Sequence, residues 1–185
     1  MKKKYIAFIL TLFISLTSLI SCQSDKKDSD QMTSSKTATE SSVENETVNL
    51  DELKQYLGKT NGGNLIVSSN LNDKNELEFI FGPYSEYKSL NPQSQVTEKD
   101  YNGYFNSGDK DIKVLFDDTI RLFKEYSGLT KISITINYEN KTLKTNISKE
   151  AIESLIGKNL SEVDKVSDLT YDKDLRNKFK QEFVK

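Results

Sequence analysis

The chain has 185 residues, with 26 Lys+Arg against 28 Asp+Glu and a formal net charge of −2 at pH 7. Proteins that bind nucleic acid usually carry a strongly positive surface, so this balance argues against a nucleic-acid partner. The sequence has no His, which removes the commonest metal ligand and the commonest general base near neutral pH. With one Cys it offers no disulfide framework and no thiolate metal site. We therefore expect no cofactor, no metal and no enzymatic activity.

Residues 1–21 have the organisation of a secretory signal peptide. Lys2, Lys3 and Lys4 give a positive start, and an apolar-biased run follows over residues 6–20. A helix that spans a bilayer needs about 20 apolar residues, and this run is short and interrupted by Thr and Ser. An uncleaved transmembrane helix is therefore the less favoured alternative. We predict that residues 1–21 are removed during export.

The single cysteine stands at the end of the string Leu19-Ile20-Ser21-Cys22, where the apolar run stops. An unpaired thiol in an exported protein needs a special explanation. The string resembles the lipobox of bacterial lipoproteins, in which apolar residues and one small residue precede the cysteine. The resemblance implies cleavage before Cys22, transfer of diacylglycerol to its thiol and, often, acylation of the new amino terminus. It predicts a protein anchored to the cell membrane, on the extracytoplasmic side, through lipid on Cys22.

The segment after the cysteine contains almost no apolar side chains. Residues 23–48 carry three Lys against six Asp+Glu and are rich in Ser and Thr. Such a segment cannot bury enough surface to offset the entropy of ordering it, so we predict a lipidated, disordered tether over 22–48. Its r.m.s. span would be about 25–30 Å. Gln23 directly follows the cysteine. In a bacterium with two membranes, the lipoprotein resemblance implies that a protein with Gln at this position passes to the outer membrane.

From residue 49 onward, apolar residues recur with helical and strand periodicity, which predicts a single α+β domain over 49–185. We expect helices packed on one antiparallel sheet of about four strands, and the repeated order helix, strand, strand suggests two such halves. The predicted helices lie at 50–57, 112–126, 149–156 and after Thr170, and the predicted strands at 64–69, 77–81, 131–138 and 141–147.

An aromatic-rich stretch interrupts this pattern, over residues 83–108, and its glycines and polar residues predict a loop. Tyrosines suit recognition surfaces, because each offers a large rigid contact area and one hydrogen-bonding group. The favoured alternative is that these rings cover the sheet as ordinary core. If the protein binds an envelope protein, a peptide or an envelope polymer, the candidate binding residues are Tyr84, Tyr87, Tyr101 and Tyr104.

Two motif fragments leave an enzymatic alternative open. Ser85 and Lys88 fit the S-x-x-K pattern of penicillin-binding enzymes, but the K-T-G element is missing. Three Asp pairs could offer oxygen ligands to a cation, although first-turn placement and pairing with Arg explain them better, and we predict no metal site. The pairs are Asp109/Asp111, Asp117/Asp118 and Asp172/Asp174.

The sequence therefore predicts a membrane-anchored lipoprotein whose domain binds a partner without catalysing a reaction. The alternative is an envelope hydrolase that uses carboxylates or the Ser85/Lys88 pair. Composition favours the binding domain, because His, the commonest general base near neutral pH, is missing from the sequence.

Replacing Cys22 with alanine should abolish acylation, because the chain has no other thiol that could accept the lipid. Metabolic labelling with a palmitate analogue measures this directly, and the variant should also be released from the membrane fraction or stall during export. Label retained on the Cys22→Ala protein would contradict the lipoprotein hypothesis.

Overall fold

A four-stranded mixed sheet forms one layer of the protein, in a computed structural model that describes residues 48–185. The strands lie side by side in the order β1-β2-β3-β4. Strands β1 and β2 form one antiparallel hairpin and β3 and β4 another, while β2 pairs with β3 in parallel, with Phe79 opposite Ile134. The strand bounds are β1 Ser68–Leu71, β2 Glu76–Phe81, β3 Lys131–Tyr138 and β4 Lys141–Ser148.

The two faces of the sheet differ because side chains alternate along each strand. In β3, every second residue from Ile132 to Tyr138 is buried, and the residues between them are half-buried. In β2 the buried set is Leu77, Phe79 and Phe81. One face therefore forms the floor of the core, and the α+β class predicted from the sequence is confirmed.

Within residues 48–185, seven helices pack with this sheet into a single domain. They are α1 Leu50–Leu57, α2 Tyr84–Leu90, α3 Glu98–Asn106, α4 Lys110–Glu125, α5 Lys149–Ile156, α6 Val166–Thr170 and α7 Lys173–Phe183. Side-chain caps begin two of them where the sequence predicts. The Asn49 side chain accepts hydrogen bonds from the first turn of α1, and the Ser148 hydroxyl accepts one from the third residue of α5.

Helix α4 is the most deeply buried element. Ten of its 16 residues are buried, and it contacts β3, β4, α3, α6 and α7. Its Phe116 ring packs on the Phe179 ring of α7, with 5.2 Å between centroids. The helix predicted at 112–126 is therefore confirmed, and its buried surface meets the sheet and also α3, α6 and α7.

Two features of the fold differ from the sequence predictions. The sheet is mixed and not wholly antiparallel, because residues 82–130 cross over and bring β3 back parallel to β2. The strand predicted at 64–69 begins at Ser68, after a 3-10 turn at Gly63–Leu65. The last helix, α7, follows Thr170 as predicted, and the Asp172 side chain caps its start.

The stretch predicted as a loop, 83–108, forms helices α2 and α3. Helix α3 begins with a capping box, in which the Thr97 hydroxyl accepts from the Asp100 N–H while the Asp100 carboxylate accepts from the Thr97 N–H. This Thr-x-x-Asp pattern was the available sequence signal. The helix is short and its other residues are polar or Gly103, so the three- and four-residue spacing of Tyr101, Tyr104 and Phe105 was too brief a pattern to predict it.

The predicted signal peptide, Cys22 and nearly all of the predicted tether lie outside the described residues. Val48, the last residue of that tether, is buried, with only 8% of its surface exposed, and it contacts the core. Within residues 48–185, no helix has both the length and the apolar character that crossing a bilayer requires.

Truncation of Ile134 to alanine should lower the free energy of unfolding by about 2–5 kcal/mol, because the side chain is completely buried in β3. The matched change Thr135→Ala, one residue on and on the opposite face, should cost about 0.5 kcal/mol or less. Urea melts of a 49–185 fragment compare the two variants. Equal losses would contradict the assignment of the buried face.

Candidate functional site

An open groove lies where the ends of β2 and β3 meet the helices of the crossover. It has a volume of about 440 Å³, and we call it the tyrosine groove. Because β2 and β3 are parallel, their carboxyl ends share one edge of the sheet, so the start of α2 lies near the β3–β4 turn. The groove is lined by Pro83, Tyr84, Ser85, Lys88, Ser89, Glu98, Asn102 and Glu139.

The wall at the end of β2 is held by a buried hydrogen bond. The Tyr101 hydroxyl of α3 donates to the Gly82 carbonyl at 2.6 Å, and burial raises the pKa of this phenol well above its usual range. A Cβ on Gly82 would lie 2.2 Å from the Glu86 carboxylate and 2.8 Å from a Val67 methyl group, so both side chains would have to shift. Gly82 and Pro83 connect the end of β2 to the start of α2.

Three of the four candidate tyrosines pack together, with ring centroids of Tyr84, Tyr87 and Tyr101 between 5.2 and 6.4 Å apart. The Tyr84 hydroxyl donates to the Val96 carbonyl at 3.2 Å, and the Tyr87 hydroxyl shares a 2.7 Å hydrogen bond with Ser94. These bonds fix the connection between α2 and α3. The cluster therefore supports the groove from behind, and its member Tyr84 also lines it.

The four tyrosines do not share one surface. Tyr87 and Tyr101 are 3% and 0% exposed, so they offer almost no contact area to a partner. Tyr104 does not line the groove; its ring packs on Phe105 and lies 5.2 Å from the Lys110 ammonium. The hypothesis of a tyrosine binding surface therefore rests on Tyr84 within the groove.

The opposite wall contains a strained residue that sequence reasoning did not single out. Glu139, in the β3–β4 turn, has φ of 50°, in the left-handed region that L side chains disfavour. Its N–H donates to the Asn102 side chain at 3.4 Å, which ties the turn to α3. A glycine would suit this backbone better, so the turn keeps an exposed carboxylate at a conformational cost.

The Ser85/Lys88 pair also lies in this groove. The Lys88 ammonium donates to the Ser94 carbonyl at 2.7 Å, across the connection between α2 and α3. A lysine that activates a serine must be a neutral amine whose lone pair points at the hydroxyl proton, and the Lys88 contact that the structure shows is to Ser94. The observed contact therefore makes Lys88 a support of the groove wall.

Within residues 48–185, no group of three or more Asp, Glu, His or Cys side chains could hold a metal ion.

Helix α4 carries two carboxylates into the interior, which the sequence analysis did not foresee. Asp117 is 9% exposed and lies 3.9 Å from the buried Arg176 guanidinium, whose other contact is the Thr170 carbonyl. Burial raises the pKa of Asp117, while the nearby Arg176 and Arg121 lower it. This pair ties α7 to α4.

Asp118 is completely buried, and its Oδ1 accepts two hydrogen bonds from Asn61. The Asn61 side-chain amide donates at 2.9 Å and its backbone N–H at 3.3 Å. The other oxygen, Oδ2, has no hydrogen-bond donor among the described residues. The pKa of Asp118 is raised to about 7, mainly because the carboxyl is buried. The two hydrogen bonds from Asn61 act in the opposite direction and lower the pKa, but burial outweighs them.

Comparison with known proteins adds little to this geometry. No family model matches the chain, and no solved structure matches it. A match of 111 residues, 29% identical, links it to an uncharacterised protein of Methanocaldococcus jannaschii. The match covers 53% of this chain and 9% of that protein, so the chain spans a small fraction of the curated relative it matches. The relative's name states no activity.

Stability should fall as the pH rises from about 4 to about 7, because folded Asp118 keeps a proton that the unfolded chain has released. The loss should be at most about 4 kcal/mol, since each tenfold change in acidity is worth about 1.4 kcal/mol. Asp118→Asn cannot titrate, so its stability relative to the native protein should improve over the same pH range. Urea melts at pH 5 and pH 8 measure this, and a pH-independent difference would contradict the assignment.

Proposed function

We propose that this protein is a lipid-anchored, extracytoplasmic bacterial lipoprotein whose α+β domain binds a segment of an envelope protein, peptide or polymer. In this proposal residues 1–21 direct export, and lipid on Cys22 holds the protein at the cell membrane. Residues 22–48 form the tether, and the domain presents the tyrosine groove to its partner. The proposed activity is binding, without chemical change of the partner.

The observation that carries the binding proposal is the tyrosine groove. It combines an apolar wall, from Pro83 and Tyr84, with hydroxyl, amide and charged groups on the surrounding surface. This combination suits an extended polar chain, because ring and pyrrolidine surfaces give contact area while a few polar groups fix orientation. The groove is also preformed, since hydrogen bonds within the protein fix both the α2–α3 connection and the β3–β4 turn.

Two further observations support binding over hydrolysis. The adjacent pair Asp117 and Asp118 is buried away from the groove, with Asp117 near Arg176 and Asp118 hydrogen-bonded to Asn61. Within the groove, the amine of Lys88 is bound to a carbonyl oxygen and not to Ser85. A catalytic base needs a substrate proton within hydrogen-bond reach, and neither arrangement supplies one.

The proposed anchor suits a protein that binds its partner at the membrane surface. A single acyl chain holds a protein only marginally, whereas the two or three chains implied for Cys22 hold it stably. A tether of about 25–30 Å then lets the groove reach partners near the surface without ordering the linker. Attachment to the same membrane raises the effective concentration, so moderate affinity in the groove is sufficient.

A photo-crosslinking residue placed at Ser89, which lines the groove, should capture the partner in intact cells. Tyr84→Ala should reduce the crosslink about tenfold, as expected when an aromatic anchor worth about 1–2 kcal/mol is lost. The matched control is Tyr171→Ala, because Tyr171 is 78% exposed and lies outside the groove. Immunoblots of the crosslinked adduct, scaled to the protein level, give the comparison.

Glu139→Gly provides a second test that separates binding from folding. Glycine relieves the left-handed strain, worth about 1 kcal/mol, so the variant should be at least as stable as the native domain. It also removes a carboxylate from the groove, so the crosslink at position 89 should weaken. Unchanged adducts in both Tyr84→Ala and Glu139→Gly would show that the groove is not the binding site.

A further inference from the structure

A second cavity, separate from the tyrosine groove, lies between the end of α1 and helix α4. It has a volume of about 220 Å³, and we call it the Arg121 pocket. Its lining residues are Tyr56, Lys59, Thr60, Asn61 and Arg121. The charged members of this set are both cations, although the whole chain has a slight excess of acidic residues. The tyrosine groove, by contrast, combines Lys88 with Glu98 and Glu139.

Neither cation of the pocket forms an ion pair within residues 48–185, where the Asp117 carboxylate pairs with Arg176. Arg121 lies near enough to Asp117 and Asp118 to lower the pKa of both carboxyls, but its N–H groups are not within ion-pair distance of them. A guanidinium has five N–H donors in a fixed fork and an ammonium has three, so both can donate to a ligand. Two cations held at one small cavity would repel each other, and an anion between them would relieve that repulsion.

The loop that presents Lys59 is held in place by the interior. Asn61 donates both its backbone N–H and its side-chain amide to the buried Asp118 carboxyl. The Thr60 hydroxyl donates to the Leu57 carbonyl at 2.7 Å, and Gly63 has no space for a Cβ, which would lie 1.9 Å from that carbonyl oxygen. The loop is therefore preorganised, and Asp118 acts as a positioning residue for it.

Two further features suit a negative ligand. Burial and the nearby Glu125 raise the pKa of Tyr56, so its hydroxyl keeps its proton and can donate a hydrogen bond. The Tyr56 ring packs edge-on against the ring of Tyr126, which follows the last residue of α4, with 5.5 Å between the ring centroids. This contact holds the Tyr56 side chain in place. The carboxyl end of α1 opposes an anion, and the hydrogen bonds that its last carbonyls accept from the Lys59 and Thr60 N–H groups reduce this effect without removing it.

We propose that the Arg121 pocket binds a small tetrahedral oxyanion, phosphate or a phosphate ester, between Lys59 and Arg121, with Tyr56 as a third donor. The donors come from α1, the following loop and α4, so they approach the ligand from more than one side. That arrangement suits a tetrahedral anion better than a planar carboxylate, which a single guanidinium fork satisfies. The same phosphate chemistry occurs in free phosphate and in a phospholipid or polymer phosphodiester.

Inorganic phosphate titrated into the ¹⁵N-labelled full chain in nonionic detergent tests the proposal. Saturable shifts are expected for the amides of residues 56–61 and 121. Lys59→Gln and Arg121→Gln should each weaken binding about tenfold, as expected when one charge-assisted donor is lost. Lys54→Gln is the matched control, because it removes the same charge from exposed α1 outside the pocket and should change the affinity less than about twofold.

Parallel titrations with dimethyl phosphate and acetate separate the sources of the anion. Dimethyl phosphate binding as well as inorganic phosphate would assign the site to phosphodiesters, and weaker binding would assign it to free phosphate or a monoester. Acetate binding as tightly as both would overturn the choice of a tetrahedral anion. An equal loss in Lys54→Gln, or no shift at residues 56–61, would overturn the site itself.

Discussion

The packing of α4 on the buried face of the sheet is the interaction on which the other elements depend. Its apolar side chains meet those of β3, and its remaining sides are covered by α3, α6 and α7. A helix enclosed on so many sides cannot keep all its polar residues in water. Asp117 and Asp118 are therefore carried inside, where each needs a partner to offset the loss of hydration.

Those partners explain how distant parts of the chain are fixed. Arg176 brings α7 to Asp117, and Asn61 brings the loop after α1 to Asp118. Both arrangements are incomplete, because Asp117 Oδ1, Arg176 Nε and Asp118 Oδ2 have no hydrogen-bond partner among the described residues. Burial also raises the pKa of both carboxyls, so each holds its proton more tightly than an exposed carboxyl. A buried group of this kind specifies the position of a loop at some cost in stability.

The parallel pairing of β2 and β3 has an equally direct consequence for the proposed binding site. If the two strands ran antiparallel, the end of β2 and the end of β3 would lie at opposite edges of the sheet, and Pro83 would be far from Glu139. The crossover through α2, α3 and α4 places both at one edge. The groove is thus a product of topology, and the tyrosine hydroxyls then fix its shape.

Local pattern was sufficient for the strands β2, β3 and β4, for α1, α4 and α5, and for the α+β class, because their periodicity or caps act over a few residues. It also predicted the lipid anchor at Cys22, which stays a prediction. It did not predict α2 and α3, whose rings pack on residues brought near by the crossover, nor the burial of Asp118. Strand direction, the groove and the buried carboxylates depend on contacts between residues far apart in the chain, and only the tertiary structure decides those.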